Sequence, residues 1–558
     1  MTGVKTQFRA DREVRWANGP DPSSVGSAGM RPESVGLRAM AIVLAVLMLL
    51  AGCARGEDPG PATPKPPPAD PAVIRTATGT VRGVVAPEHR LFAGIPYAAP
   101  PIGPLRWQPP APALPWPGIR DATRTGPRCM QDASDLEMGR QTSEDCLTLN
   151  VWTPPPSERK RAVMVWIHGG AFVNGSSGLY DSRWLASRGD IVVVTLNYRL
   201  GALGFLAHPA LGAPGAVGNY GLSDQQAALR WVHDNIANFG GDPDAVTVAG
   251  ESAGGMSVCD HLVAPGSEGL FRAAIIQSGP CEAQVALPEA EKVSIDYARA
   301  VGCDDVRTVA TCLRAIPADK LRKPVWYYHI GDDALSGPVT GTKVLPVDPM
   351  LAITEGRSAK VPVLVGTNHD EFTLFVALQY LRLRRPYTEA QYPQLLSQTF
   401  GRDAEAVAAH YPLSRYAGSV PLAYSAAVTD GVFACVADRM TEALARTDSA
   451  YAYEFNDRDA PAPDALRTLP FPVGASHSLE LRYLFDVGGA PPLDADQQVL
   501  SDQMIDAWSQ FVRDGHPGDD WPAFGGEEKR LSLRPDGSRV ETDFDQKRQC
   551  PFWAALKE

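Results

Sequence analysis

The chain has 558 residues, of which 44% are hydrophobic, so a large packed core is available. Its formal net charge of −12 argues against nucleic-acid binding, because phosphate groups require a basic protein face. The sequence contains no Walker loop, no dinucleotide-binding fingerprint and no cluster of zinc ligands. We therefore expect neither a cofactor nor a metal ion.

The N-terminal region predicts export. Ala39 to Gly52 is an uncharged run preceded by Arg31 and Arg38. It is shorter than the roughly 20 residues that a spanning helix needs, and it suits the core of a signal peptide. The run ends in Leu-Ala-Gly-Cys53, which resembles the lipobox of bacterial lipoproteins and implies cleavage before Cys53 and lipidation of its thiol. Because the segment before the run is long, we expect translation to start at Met30.

The sequence thus divides into three parts. Residues 1–52 are the predicted signal peptide, 53–72 the lipidated cysteine and its proline-rich tether, and 73–558 the folded body. A segment so rich in proline and alanine is semi-extended and buries nothing. Two acyl signals hold a protein firmly on a bilayer. We expect a protein of the bacterial cell envelope, lipid-anchored to the outer face of the cytoplasmic membrane.

From residue 73 onward, strand patterns alternate with helical ones. Val73 to Val85 predicts an opening hairpin, and Ser223 to Phe239 predicts a helix with Ser223 as its N-cap. Short apolar runs without polar alternation are typical of strands covered on both faces. They are found at Ala162 to Ile167, Ile191 to Leu196, Ala273 to Gln277, Val361 to Val365 and Ala450 to Phe455. This alternation predicts an α/β fold with a mostly parallel sheet and helices on both faces.

One strand ends in a sharp turn that carries a serine. An alternating apolar run from Val246 leads into Gly250-Glu251-Ser252-Ala253-Gly254, and helical spacing follows from Met256 to Val263. Strand, turn and helix form the context that the G-x-S-x-G pattern requires. The simpler interpretation is a glycine-rich turn with a capping serine. The functional interpretation is a nucleophile presented beyond the carboxyl end of the sheet, where sites lie in such folds.

A serine nucleophile needs a base to remove its proton and an acid to orient that base. After this kind of turn the chain order is serine, acid, histidine. Adjacent carboxylates, Asp370 and Glu371, follow a predicted strand, and the residue pattern leaves both open as the acid. Three histidines lie further on: His410, His477 and His516. His477 is the best placed, because it lies in a loop of small residues after an apolar strand.

The reaction also needs N–H groups that hold a developing oxyanion. The N–H of Ala253, directly after the serine, is one candidate. The turn Gly169-Gly170-Ala171 can supply others, and His168 beside it could shape the pocket wall. A tight turn that simply needs small residues is the alternative interpretation.

These motifs resemble the type-B carboxylesterase and cholinesterase family of α/β-hydrolases. The resemblance covers essentially Val73 to the end of the chain. It rests on Phe92 to Pro101 (FAGIPYAAPP), Ser143 to Val151 (SEDCLTLNV), Val165 to Phe172 (VWIHGGAF), Asn197 to Ala207 (NYRLGALGFLA) and Gly218 to Ser278, which contains GESAGG. It implies the α/β-hydrolase fold, a central mostly parallel sheet flanked by helices on both faces, and a serine carboxylesterase that works through an acyl-enzyme.

The resemblance also assigns roles to single residues. It implies Ser252 as nucleophile, Glu371 rather than Asp370 as acid and His477 as base. The oxyanion donors would be the N–H groups of Gly170, Ala171 and Ala253. Ser278 matches a family serine that hydrogen-bonds near the triad, and Glu251 matches a family acid beside the nucleophile.

Besides Cys53 there are eight cysteines, an even number that suits an oxidising compartment. Their spacing alone leaves the pairing open. The resemblance implies the pairs Cys129–Cys146, Cys303–Cys312 and Cys435–Cys550. We expect the remaining two, Cys259 and Cys281, to pair as well.

The chain departs from the family in two places. Ala171 replaces a glycine of the oxyanion turn, and its methyl narrows the space for bulky alcohol groups. The loop between Cys129 and Cys146 contains no tryptophan, whereas cholinesterases bind choline there by cation–π contact, so a cholinesterase is disfavoured. A lipase and a non-catalytic surface-binding protein remain alternatives, and Leu374 to Pro386 could be a lid or a packed helix. The expected partners are a small-molecule or lipid ester and the membrane.

Overall fold

The computed structural model of the protein describes residues 70–132, 141–330, 333–385, 387–525 and 529–556. Met30, the predicted signal peptide and Cys53 lie outside the described residues. The folded body is organised around an 11-stranded sheet. In chain order its strands β1 to β11 are Val84–Val85, Arg90–Pro96, Thr148–Thr153, Arg161–Ile167, Val192–Leu196, Gly241–Glu251, Ala273–Gln277, Val363–Asn368, Ala450–Phe455, Arg530–Leu533 and Arg539–Glu541.

Across the sheet the strands follow the order β11-β10-β9-β8-β7-β6-β4-β5-β3-β2-β1. The seven strands from β10 across to β5 pair in parallel, and the outer strands at both edges pair antiparallel. The mostly parallel sheet expected from the apolar runs is therefore confirmed.

Smaller strands lie outside this sheet. The predicted opening hairpin is Val73–Arg75 paired with Thr80–Arg82, and Ile119–Asp121 extends it. Three short pairs complete the strands of the described residues: Arg128–Cys129 with Thr142–Ser143, Val285–Ala286 with Val339–Thr340, and Tyr328–Ile330 with Asp333–Leu335.

Helices connect the strands. Among the described residues, α1 to α16 are Arg183–Ser187, Gly201–Phe205, Tyr220–Asn235, Ala253–Val263, Leu287–Ala300, Val309–Ala315, Pro349–Thr354, Thr373–Leu383, Tyr392–Phe400, Ala404–His410, Val420–Val428, Cys435–Ala445, Asp464–Arg467, Ala495–Asp514, Phe544–Lys547 and Cys550–Ala555. A π-helical turn, Thr429–Ala434, joins α11 to α12. Together these three form an apolar stretch long enough to cross a membrane, but 78% of its most apolar window is buried inside the fold.

The sheet is covered on both faces. Along β4, Val163, Val165 and Ile167 pack into one apolar core, whereas Met164 and Trp166 pack into the other. Because successive side chains of a strand point to opposite faces, an entirely apolar run is what a doubly covered strand requires.

The predicted start of helix α3 at Ser223 is wrong. The helix begins at Tyr220, and the Ser223 hydroxyl instead donates to the carbonyl of Asn219 (3.1 Å). The side chain of Asn219 exchanges hydrogen bonds with the backbone of Val339, far away in the chain. This tertiary contact fixes where the helix begins, and local sequence cannot show it.

The parallel register brings several strand ends to one edge. Ile167 at the end of β4 is paired with Gly250 on β6, and Glu251 on β6 is paired with Gln277 at the end of β7. Gln277 is in turn paired with Gly366 on β8. The segments that follow these strands therefore leave the sheet side by side.

Candidate active site

Ser252 lies in the sharp turn between β6 and α4. Its backbone has φ 56° and ψ −122°, an unfavourable conformation for a residue with a side chain. The turn closes tightly, because a Cβ atom at Gly250 would lie 2.5 Å from the carbonyl carbon of Gly254, and one at Gly254 would collide with the carbonyl of Ile167. Only glycines fit there. Ser252 itself is half-buried, so its hydroxyl is accessible.

Glu371 and His477 form a buried pair. The Nδ1 atom of His477 lies 2.6 Å from Oε2 of Glu371, and the other oxygen of Glu371 accepts the N–H of Asn368 at 2.7 Å. A carboxylate accepts only, so Nδ1 carries the hydrogen. Asp370 faces elsewhere, where Arg458 binds it at 2.8 and 2.9 Å. Of the two adjacent carboxylates, Glu371 is the one that contacts the histidine.

The other two histidines lie in different surroundings. His410 ends α10 and stacks on Phe552, with the ring centroids 3.6 Å apart. His516 lies in the turn after α14.

The second imidazole nitrogen of His477, Nε2, faces the turn that carries Ser252. Among the described residues, Nε2 of His477 has no hydrogen-bond partner, although it lies 3.2 Å from Oε1 of Glu251, the residue before Ser252. Within the same residues the Ser252 hydroxyl forms no hydrogen bond, so the serine and the histidine are not bonded. Catalytic hydrogen bonds are often long without substrate and tighten in the complex. The arrangement leaves Nε2 open to a proton from the serine.

The glycine turn after β4 packs directly against the serine. A Cβ atom at Gly169 would lie 3.0 Å from Cβ of Ser252. Gly170 and Ala171 follow with φ 105° and 51°. In the part of the chain that the structure describes, the N–H groups of Gly170, Ala171 and Ala253 donate to no protein group. Unpaired N–H groups beside a nucleophile can accept a negative oxygen.

His168 supports this turn from behind. Its Nδ1 lies 2.8 Å from the carbonyl of Gly169, and its ring stacks on Tyr198 at 4.4 Å between centroids. Burial lowers the pKa of His168 to about 4, so the ring is neutral at pH 7. It shapes the pocket wall without adding charge.

Three buried carboxylates surround His477: Glu251, Glu371 and Glu480. Burial lowers the pKa of His477, but Glu251 and Glu371 outweigh it and raise the pKa to about 9. Burial also raises the pKa of Glu480 to about 8. Sequence reasoning assigned no role to Glu480, which accepts from Asn368 at 2.5 Å. The sequence feature that could have pointed to Glu480 is a carboxylate placed between two leucines, three residues after His477.

Two phenylalanines line the imidazole. Phe375 of α8 lies 5.2 Å from the ring of His477, and Phe433 of the π-helical turn lies 5.5 Å from it, edge to face. π-Helical turns inside α-helices are frequent at functional sites. The wall they build is apolar, which suits the carbon chain of an organic substrate.

Ser278 is buried at the end of β7 with φ 50°. Its N–H donates to the carbonyl of Gly366 at 2.8 Å. Its hydroxyl has no hydrogen-bond partner among the described residues. The family resemblance implies that this serine forms a hydrogen bond near the triad, and that role stays a prediction.

Four disulfides join the eight cysteines of the folded body. They are Cys129–Cys146, Cys259–Cys281, Cys303–Cys312 and Cys435–Cys550. The second connects α4, which begins after the nucleophile, to the loop that follows Ser278. It therefore ties two segments at the site edge of the sheet together.

Comparison with known proteins agrees with this geometry. The carboxylesterase family matches the chain over residues 70–553. The cholinesterase of Mus musculus is 34% identical over 528 residues, which cover 86% of this chain and 86% of that protein. The chain belongs to the carboxylesterase family, with an α/β-hydrolase fold, and is a carboxylic ester hydrolase.

Proposed function

We propose that Ser252, His477 and Glu371 form a catalytic triad that hydrolyses carboxylic esters through an acyl-enzyme. The observation that carries the proposal is the 2.6 Å contact between Glu371 and His477 at the sheet edge where the Ser252 turn also lies. The carboxylate fixes the tautomer that leaves Nε2 free to accept a proton. A base with this orientation, beside an accessible serine, is what acyl transfer requires.

The reaction has two halves. Nε2 of His477 takes the proton of Ser252 while the serine oxygen bonds to the ester carbonyl carbon. The N–H groups of Gly170, Ala171 and Ala253 hold the resulting oxyanion. Its collapse breaks the bond to the alcohol, which leaves with the proton from His477. Water then gives a proton to His477, attacks the acyl-enzyme and releases the acid, and the serine regains its proton.

The substrate we propose is an ester of an uncharged alcohol. Phe375 and Phe433 offer an apolar wall at the imidazole. The methyl of Ala171 narrows the oxyanion turn, which favours small alcohol groups. Because the loop from Cys129 to Cys146 contains no tryptophan, it lacks the aromatic face on which a quaternary ammonium binds best.

The test is hydrolysis of nitrophenyl esters of increasing chain length by wild type and Ser252→Ala. We expect kcat to fall by at least about 10^4-fold in the variant. Ser358→Ala is the matched control, because that buried hydroxyl likewise has no hydrogen-bond partner among the described residues, and the activity of the variant should equal wild type. Turnover that survives in Ser252→Ala would overturn the proposed nucleophile.

A lipase is the second candidate, and α8 favours it. Leu378 and Leu383 are 46% and 41% exposed on the helix that also carries Phe375. Exposed leucines next to the site are what contact with a lipid surface would use. A rate that jumps when a long-chain ester exceeds its solubility limit would support the lipase. A rate that saturates below that limit would support the esterase.

We also propose that the protein is exported and anchored to the membrane through lipid on Cys53. The lipobox-like Leu-Ala-Gly-Cys and the proline-rich tether support the proposal. Cys53→Ser should release the esterase activity from the membrane fraction into the soluble fraction. Peptides from Lys5 to Arg15 in the precursor made from its own promoter would overturn the start at Met30.

A further inference from the structure

The residue after the catalytic histidine has an unusual backbone and a specific bond. Ser478 adopts the left-handed conformation, with φ 68° and ψ 0°. Glycine reaches this region without strain, whereas a residue with a Cβ atom does not. The Ser478 hydroxyl donates a hydrogen bond of 2.5 Å to Oε1 of Glu251. The strained position therefore supplies a hydroxyl that glycine lacks.

The carboxylate that Ser478 holds is placed between two parts of the site. Oε1 of Glu251 lies 3.2 Å from Nε2 of His477. Oε2 packs on the oxyanion turn, because a Cβ atom at Gly169 would lie 2.6 Å from it. Nε2 is the nitrogen that must accept the proton of Ser252. Once Nε2 carries a proton, a carboxylate oxygen at that distance can hold the proton on Nε2 and so oppose its return to the substrate or to Ser252.

We propose that Ser478 is a positioning residue that weakens the attraction of Glu251 for the imidazole of His477. The inference rests on the proposed function, since it concerns the base of the same triad. The hydroxyl donates to the oxygen that faces Nε2, so this oxygen attracts the imidazolium less strongly. It also fixes the rotation of the carboxylate, with its second oxygen on the glycine turn.

The charges around the pair set the direction of the effect. Burial raises the pKa of Glu251, whereas His477 and the Ser478 hydroxyl lower it. The other titratable groups that act here are Glu371 and Glu480 and the buried phenols of Tyr198 and Tyr453. Loss of the hydroxyl raises the pKa of Glu251, but as long as this carboxylate is ionised, Oε1 is left to the imidazolium alone and stabilises it. The base then loses its proton only at higher pH.

The experiment is the pH profile of kcat/KM in Ser478→Gly and Ser478→Ala. We expect the acid limb to move to higher pH and kcat/KM at pH 7 to fall about fivefold. Ser478→Gly relieves the backbone strain, so its Tm should not fall, which separates the effect from misfolding. Ser476→Ala is the matched control on the other side of His477, because this buried hydroxyl has no hydrogen-bond partner among the described residues. Its profile should equal wild type.

A second background makes the test specific to Glu251. In Glu251→Gln the competing charge is absent, so adding Ser478→Gly should move the acid limb no further. A shift of equal size in that background would overturn the inference, as would an unmoved limb in both Ser478 variants of an active enzyme. Wild-type protein that hydrolyses no ester would instead overturn the proposed function.

Discussion

Two clusters of buried carboxylates lie on either side of one short segment, His369 to Glu371. In the first, Arg548 binds Glu454 at 2.9 Å, Asp430 at 3.1 Å and the imidazole of His369 at 2.7 Å. In the second, the carboxylates of Glu251, Glu371 and Glu480 surround His477. The carboxylates of both clusters are buried, and both clusters contain a histidine, of which His369 is partly exposed and His477 is buried. They differ in the cation that the carboxylates face.

A guanidinium is charged at every pH at which proteins fold, whereas an imidazole is not. Although burial opposes it, Arg548 lowers the pKa of Glu454 below its ordinary value, while Asp430 keeps a raised pKa of about 6 because of burial. In the other cluster the pKa values of Glu480 and His477 are raised to about 8 and about 9. The permanent charge of Arg548 thus gives the first cluster a structural role, in which its ion pairs hold neighbouring segments together. The second holds protons that can move, which is what general base catalysis needs.

The largest effect should come from removing the acid of the second cluster. Glu371→Gln replaces an acceptor by an amide that can stabilise the wrong tautomer of His477. We expect kcat to fall about 10^4-fold with little change in KM. Steady-state kinetics with a short-chain nitrophenyl ester measures it.

The neighbouring carboxylate provides the control for this variant. Asp370 binds Arg458 rather than the histidine, so Asp370→Asn should keep kcat within about threefold of wild type. An equal loss in both variants would show that the segment, and not one carboxylate, matters for the base.

A substitution in the first cluster should lower the stability of the protein and leave its kcat unchanged. Arg548→Met leaves Glu454 and Asp430 buried without their cation, which costs about 3–5 kcal/mol of unfolding free energy. Urea unfolding measures this loss, and kcat per folded molecule should stay near wild type. Arg446→Met is the control, because its ion pair with Glu442 is exposed and is worth about 0.5 kcal/mol or less. A specific loss of kcat in Arg548→Met would mean that the two clusters share protons.

The features that the sequence predicts well are local. The turn at Ser252 needs glycines within two residues, and strand β4 is apolar throughout because both faces are covered. Each signal lies within a few positions of the element it describes. The fold and the candidate nucleophile could therefore be predicted from the residues alone.

The features that could not be predicted from local sequence depend on partners that are distant along the chain. Asp370 and Glu371 are alike in pattern, and the choice between them follows from Arg458, which is 88 positions away. The Ser478 hydroxyl meets Glu251 across 227 positions. No periodicity encodes such contacts. Only the resemblance to a family pointed to Glu371, and nothing pointed to Ser478.

The smallest expected effect is that of Glu480→Gln, which tests whether Glu480 and His477 in the second cluster influence each other's protonation. Glu480 lies close enough to raise the pKa of His477, so Glu480→Gln should lower it. The base must be neutral, and kcat/KM rises as His477 loses its proton on going from acid to alkaline pH. A lower pKa therefore moves the acid limb to lower pH, and kcat/KM at pH 8, where Glu480 ionises, should increase about threefold. Because Gln keeps an acceptor for Asn368, the loop should stay in place. An unmoved limb would mean that Glu480 is protonated and neutral throughout the range and exchanges no proton with His477, unlike the ionised Glu454 that Arg548 binds.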